Sequence, residues 1–220
     1  MKFRRNIICL PSHCKLLKNG ELWFDKLAQD RFYKAMTFDK ARAEILPHIW
    51  GPGVLWLSEL HRARGYAPAE QQKNWRLAPW AERHLAGMLL LHDVLPDRTS
   101  LFETAHKIWI ILDKFKLSDQ DIYLPYWEKC GITGHNDGKN IAVTAYLKQN
   151  RKKMLLVVFN NRDDNWQTEL KLDVKKIFGS DVKVKITDLE NGRKLFSGVT
   201  QFSLPVPRRN FRLLQAAVEK

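Results

Sequence analysis

The residues of this chain that could do chemistry are a few carboxylates and a set of aromatic rings. Glu59 stands near the end of the apolar run Val54-Leu-Trp-Leu-Ser-Glu-Leu60, and the pair His92-Asp93 closes a second run, Leu89-Leu-Leu91. A polar group at the end of an apolar run is solvated or hydrogen-bonded, and a carboxylate so placed can hold or pass a proton. Structural alternatives exist for both: Arg62 offers Glu59 an ion pair, and His92 with Asp93 can tie down a helix end. Tyr126-Trp127 follows Pro125, Trp56 lies inside the first apolar run, and Trp166 stands beside a polar loop. Their ring faces could stack on the C–H face of a ligand or equally serve as core. No Gly-x-Ser-x-Gly elbow accompanies a Ser/His/Asp set. No Gly-rich phosphate loop or dinucleotide fingerprint is present.

Cys9, His13 and Cys14 fall short of the four ligands of a structural zinc site, and Cys130 and His135 stand apart. No metal and no cofactor is therefore expected, and with three cysteines at least one thiol is unpaired within the chain. The formal net charge of +13 invites a nucleic-acid reading. The basic residues are interspersed with acids, however, and the densest clusters, Arg151-Lys-Lys153 and Arg208-Arg209, fall in turn-like stretches. No RNP, zinc-finger or helix-turn-helix pattern goes with them, so a solvated basic surface is expected and nucleic acid is not. The apolar patch after Met1-Lys-Phe-Arg-Arg5 is about four residues long, short of the roughly 7–15 of a secretory signal. No run approaches the ~20 residues that span a bilayer, so no membrane partner is expected. Oligomeric state is not legible.

Around these residues the chain divides into a Trp-rich, mostly helical part and a β-rich part. Residues 1–20 read as a loose lead-in. Phe38-Asp-Lys-Ala-Arg-Ala-Glu-Ile-Leu46 has helical spacing, and Pro47 and Gly51-Pro-Gly53 break it. Val54–Leu60 reads as a buried parallel strand. Trp80–His92 reads as a helix with an apolar back end, and Leu101 to about Phe115 as an amphipathic helix with Phe102, Ala105, Ile108, Trp109 and Leu112 on one face. Ser100 and Glu103 form its capping box. Leu124–Trp127 is expected as a fixed loop and Thr133–Lys139 as a linker. Beyond it Ile141–Lys148, Met154–Asn161 and Trp166–Asp173 are strands, Val174–Gly179 is one helical turn, and Val182–Asp188 alternates with Val182, Val184 and Ile186 inward. Asn191-Gly192 marks a hairpin. Lys194–Phe196, Val199–Leu204 and Phe211–Leu214 complete an antiparallel sandwich.

Leu89-Leu-Leu-His-Asp-Val94, the aromatic helix, Tyr123-Leu-Pro-Tyr-Trp127 and the sandwich bearing Tyr146-Leu-Lys148 and Leu155-Leu-Val-Val-Phe-Asn-Asn161 together resemble the carboxyl-terminal part of large bacterial glycoside hydrolase-like proteins, in particular the family 123-like group. The resemblance covers roughly residues 50–215. It implies an α+β chain, with residues 1–136 as the helical remnant of a (β/α) barrel and residues 137–220 as an antiparallel β-sandwich. A whole barrel takes about 200 residues or more. The expectation is therefore a shortened relative, inactive alone, whose main acid/base carboxylates belong to earlier barrel strands. The resemblance also implies exported relatives, although this chain shows no convincing signal.

Glycoside hydrolysis uses two carboxyl groups, or one with a substrate acetamido group. On the resemblance, Glu59, at the mouth-side end of a barrel-like strand, and Asp93 are the catalytic candidates. His92, Tyr126, Trp127, Trp56 and Trp166 are the sugar-binding candidates, and carbohydrate is the partner. Two other classes stay open: a carbohydrate-binding module without catalysis and a basic nucleic-acid-binding protein.

Overall fold

The computed structural model describes residues 16–19, 37–45, 53–56, 79–96, 102–134 and 140–219. The chain forms two compact units, Met1–Phe102 and Glu103–Lys220.

In the first unit, β1 (Leu16–Asn19), β2 (Gly53–Trp56) and β3 (Leu95–Pro96) form a parallel sheet in that order. Asn19 pairs with Trp56 and Trp56 with Pro96, so the three strands end at one level. Val54–Trp56 thus has parallel neighbours on both sides, while residues 57–60 lie outside the described residues. The lead-in expected over residues 1–20 contains a strand, because a four-residue segment pairs through its backbone and is too short to show a period.

Among the described residues, two helices lie between the strands. Thr37 caps α1 (Phe38–Ile45): its hydroxyl accepts the Lys40 N–H at 3.3 Å. α2 (Pro79–Leu91) is buried on all sides from His84 to Leu91. It ends in a Schellman motif. Val94 N donates to Leu89 O at 3.0 Å and Asp93 N to Leu90 O at 3.4 Å, with Asp93 left-handed at φ +60. Aspartate tolerates that conformation better than most residues.

In the second unit, α3 (Phe102–Phe115) buries Ala105, Ile108, Ile111, Leu112 and Phe115 and leaves Trp109 half-buried. The stripe is one turn longer than the spacing suggests. Ser100 lies outside the described residues. α3 ends like α2, with Leu117 N on Leu112 O at 3.0 Å and Lys116 left-handed at φ +60.

The strands that follow are β4 (Ile122–Leu124), β5 (Ile132–Gly134), β6 (Ile141–Leu147), β7 (Lys153–Asn160) and β8 (Trp166–Leu172). After α4 (Val174–Phe178) come β9 (Val184–Asp188), β10 (Lys194–Val199), β11 (Gln201–Val206) and β12 (Asn210–Val218). They build two antiparallel sheets, six strands in the order β10-β9-β12-β7-β6-β4 and three in the order β11-β8-β5. Leu156 and Val158 of β7, Leu170 of β8, Leu204 of β11 and Leu214 of β12 meet in one core, with Ile177 of α4 at its side. The expected sandwich is therefore present.

Three local expectations change. Leu124 ends a strand, β4, that pairs with β6 (Ile122↔Leu147, Leu124↔Ala145). Thr133 lies in β5, paired with β8 (Thr133↔Lys171). Three-residue edge strands borrow their order from a neighbour and show no alternation of their own. The single strand expected over Val199–Leu204 is two, since the chain passes between sheets at Thr200, just after left-handed Gly198 (φ +69). The β9–β10 hairpin is present, and Gly192 takes φ +72 while its N–H donates to Asp188 O at 2.9 Å.

Candidate functional site

The aromatic rings gather at the β4 edge of the six-stranded sheet. Tyr123 of β4 lies opposite Tyr146 of β6, their ring centroids 5.4 Å apart. Trp127 meets Tyr123 at 6.0 Å and 64°, and Tyr126 at 4.9 Å and 85°. Edge-to-face pairs of this kind contribute about 0.5–1.5 kcal/mol each beyond area burial. The turn carrying Tyr126 and Trp127 is fixed at its start by the proline ring of Pro125. The Pro125 carbonyl accepts Glu128 N at 3.2 Å and the Cys130 thiol at 3.5 Å. Burial pushes that thiol above its ordinary pKa, keeping it protonated.

Entry into β4 is fixed from the other side. Lys148 Nζ donates to Asp121 at 2.7 Å and to the Lys116 carbonyl, and it lies 4.8 Å over the Phe115 ring. A cation at the carboxyl end of α3 is favourable toward the helix dipole, and Asp121 also accepts Ser118 N at 3.0 Å.

This cluster separates the two rings paired by sequence. Tyr126 is buried at 8% exposure, whereas Trp127 is half-buried. Tyr123, also half-buried, and Tyr146, buried, are additional members. Tyr123 was hidden by the shortness of its strand, and Tyr146 by lying in a run of apolar neighbours.

His92 is fully buried at the end of α2, and its Nδ1–H donates to Met88 O at 2.7 Å. Burial lowers its pKa from 6.5 to about 4. The charge of Arg42 adds to the lowering, while hydrogen bonds to the Met88 and Phe38 backbones oppose it. The imidazole is thus neutral at neutral pH and braces the helix end. Asp93, its half-buried neighbour, occupies the left-handed position that stops the helix.

Trp166 shares the inward parity of Thr168, Leu170 and Leu172 on β8 and pairs with Val206. The Arg162 guanidinium lies 4.2 Å over its ring, held by Asp164 through bonds of 2.9 and 3.1 Å. Those bonds hold the Asp164 carboxyl below its ordinary range. Buried Asn160 fastens this loop: its Nδ2 donates to the Asp164, Val206 and Pro207 carbonyls, and its Oδ1 accepts Arg162 N. A ligand stacking on that ring face would have to displace Arg162. Trp56 ends β2, and Glu59 lies outside the described residues. Among the described residues there is no group of three His, Cys, Asp or Glu that could hold a metal. None of their helices is long and apolar enough to cross a membrane.

No family model matches this chain, and no curated protein matches it in sequence. Solved structures do. A family 27 β-L-arabinopyranosidase from Geobacillus stearothermophilus is similar over 96% of this chain and 47% of its own, at 8% identity and a TM-score of 0.56. A variant of that enzyme in complex with arabinose matches 98% of this chain and 48% of its own, at 8% identity and a TM-score of 0.51. A maltogenic α-amylase from Thermotoga neapolitana matches 95% and 52%, at 10% identity and a TM-score of 0.55. The chain spans about half the length of these structures. At such identities the likeness is one of fold, and the fold is glycoside hydrolase-like.

Proposed function

We propose that this chain supplies the closing part of a glycoside hydrolase-like protein acting on carbohydrate. Residues to about 136 form the end of its barrel, and residues 137–220 form the sandwich, which recruits β4 and β5 from across that boundary. The fold likeness over 96% of the chain carries the reading. The parallel sheet adds support, because its strands end together at Asn19, Trp56 and Pro96, and barrels of this type place their chemistry at strand carboxyl ends. Glu59, three residues beyond β2, is the carboxylate proposed there, with Asp93 as the second and His92 holding Asp93 in position. Trp127 and Trp56 are the proposed sugar contacts, with Tyr126 behind Trp127. The family 123-like affinity is part of the proposal and rests on the sequence resemblance.

The test is chromophore release from a panel of aryl glycosides by the full chain. Activity lost in Glu59→Gln or Asp93→Asn supports the assignment, and activity unchanged in both overturns it. A second reading, carbohydrate binding without hydrolysis, is favoured by the confinement of the braced aromatic cluster to the second unit. It predicts retarded migration in gels containing soluble polysaccharide, lost in Trp127→Ala, with no chromophore released.

A further inference from the structure

Strand pairing gathers on one face of the six-stranded sheet lysines that lie far apart in the sequence. Val184 and Ile186 of β9 point into the core, so Lys185 and Thr187 lie on the opposite, outward face. Ala217 of β12 stands opposite Lys185 on one side and opposite Lys153 of β7 on the other, which puts the three residues in one row. Lys183 continues the alternation of β9, and its carbonyl accepts Glu219 N at 3.0 Å. Lys194 of β10 faces Thr187. Residues directly opposite on antiparallel strands share a face, so Lys153, Lys183, Lys185 and Lys194 share this one.

The corner is open to solvent. Lys183, Lys185 and Lys194 are exposed, and Lys153 is half-buried with its ammonium 5.1 Å over the Phe115 ring. Half-buried Thr187, Gln215 and Ala217 lie between them. Elsewhere on the second unit Lys148, Arg162, Lys175, Arg209 and Arg212 are paired with aspartates. Among the described residues, none of the four lysines forms such a pair. The carboxylate beside them, Glu219, is turned to β10, where it accepts the Ser197 hydroxyl and Gly198 N, the latter at 2.6 Å. The Ser197 bond holds that carboxyl below its ordinary range, and the charges of Lys194 and Lys185 add to the lowering. Like charges gathered in this way repel one another, and an anionic partner relieves the repulsion.

The spacing of the lysines indicates the kind of anion. Two residues along a strand, a diagonal neighbour and a position two strands away are about 7–10 Å from one another. Duplex nucleic acid is much denser, with a charge about every 1.7 Å of its axis. Single strands are held by aromatic rings on which the bases stack. The outward positions between these lysines carry no such ring, and Phe196 of β10 packs on Phe202 and the core. A glycan of uronate residues carries one carboxylate per ring, and its charges are separated by hydroxyls of the kind that Thr187 and Gln215 can bond.

We infer that Lys153, Lys183, Lys185 and Lys194 form a docking surface for the carboxylates of a uronate-bearing glycan. The inference rests on the carbohydrate reading above and gives that carbohydrate a charge.

Fluorescently labelled polygalacturonate is titrated with the full chain and followed by anisotropy, beside labelled galactomannan, dextran sulfate and duplex DNA. Binding of polygalacturonate is expected, and it should weaken steeply as salt shortens the range of the charges. Lys185→Gln combined with Lys194→Gln is expected to weaken it about tenfold. Lys171→Gln combined with Lys175→Gln removes the same charge from other exposed positions and should leave it unchanged. An equal loss in both double variants would show an effect of net charge alone and overturn the docking surface. Tighter binding of dextran sulfate or duplex DNA, lost in the first double variant, would reassign the surface to sulfate or phosphate groups and overturn the glycan uronate. Silence toward polygalacturonate also overturns the inference. If galactomannan then binds, or an aryl glycoside is cleaved, the carbohydrate reading stands without it; if neither happens, that reading falls as well.

Discussion

The two sheets of the sandwich differ in how many of their faces are buried. On the three-stranded sheet, β8 and β11 alternate strictly, with one face in the core and one in water. On the six-stranded sheet, every residue of β6 and nearly every residue of β7 is buried, including Phe159, Val157, Leu155 and Tyr146 on the face away from the core. Antiparallel sheets commonly leave one face solvated; the six-stranded sheet is instead closed on both faces at β6 and β7, while its β9 and β10 keep exposed residues such as Lys185 and Lys194, and the three-stranded sheet is an outer wall. The outward faces of β6 and β7 are thus closed to a ligand, and the open face of the three-stranded sheet is a network of paired polar side chains. The aromatic cluster sits at the edge of the six-stranded sheet, on β4.

The comparison breaks most visibly if the outward face of β7 is not truly interior. Phe159 pairs with Phe211 of β12 and is fully buried. Phe159→Ala is expected to cost about 3–5 kcal/mol, read as a fall in the urea midpoint of the second unit by circular dichroism. A cost near that of a surface substitution would show that this face is a wall like the other.

Among the described residues, α2 is also buried on all sides from His84 to Leu91, and there the burial encloses a titratable group. The folded chain holds His92 near 4 while the unfolded chain titrates near 6.5. The folded state therefore refuses a proton that the unfolded state accepts. Stability present above pH 6.5 drains as pH falls toward 4, by about 3 kcal/mol in all, and levels off below. His92→Asn keeps a donor for the Met88 carbonyl but cannot be charged. Unfolding of the first unit, followed between pH 7 and 4, is expected to lose that slope in the variant. An identical slope in both proteins would locate the acid sensitivity elsewhere.

A third test asks how tightly the outer wall is joined at its short edge. Gly134 of β5 has φ +133, and an added Cβ would lie 1.9 Å from the Glu169 carbonyl oxygen. Gly134→Ala is expected to cost about 1–3 kcal/mol and to raise amide hydrogen exchange in β5 and the facing part of β8. Unchanged exchange would mean that β5 is a loose appendage of the sheet.

The same contrast explains which parts were legible in the sequence. The alternation of Val182–Asp188, the helical spacing of residues 38–45 and 102–115, and the Asn191-Gly192 turn are local patterns, and each corresponds to a described element. β1, β4 and β5 are not local, because their order comes from the strand beside them. At the site, Tyr126 and Trp127 were legible as an aromatic pair next to a proline. That one is buried and the other half-open depends on Tyr123 and Tyr146, which are contributed through strand pairing. Likewise the lid on Trp166 comes from Arg162, whose placement depends on Asn160 and on carbonyls some 46 residues downstream.

The smallest effect is expected on the open face of the outer wall, and it is informative because it is small. Glu169 is exposed, and its side chain accepts only from Gln201 across the strand pair. Exposed polar pairs contribute a fraction of a kcal/mol, so Glu169→Ala should change stability by no more than about 0.5 kcal/mol. The aromatic cluster lies at the β4 edge of the other sheet, so migration in a soluble-polysaccharide gel should be unchanged as well. A clear loss of binding with stability intact would move the ligand from the β4 edge to this open face, since the substitution removes nothing that the fold or the aromatic cluster depends on.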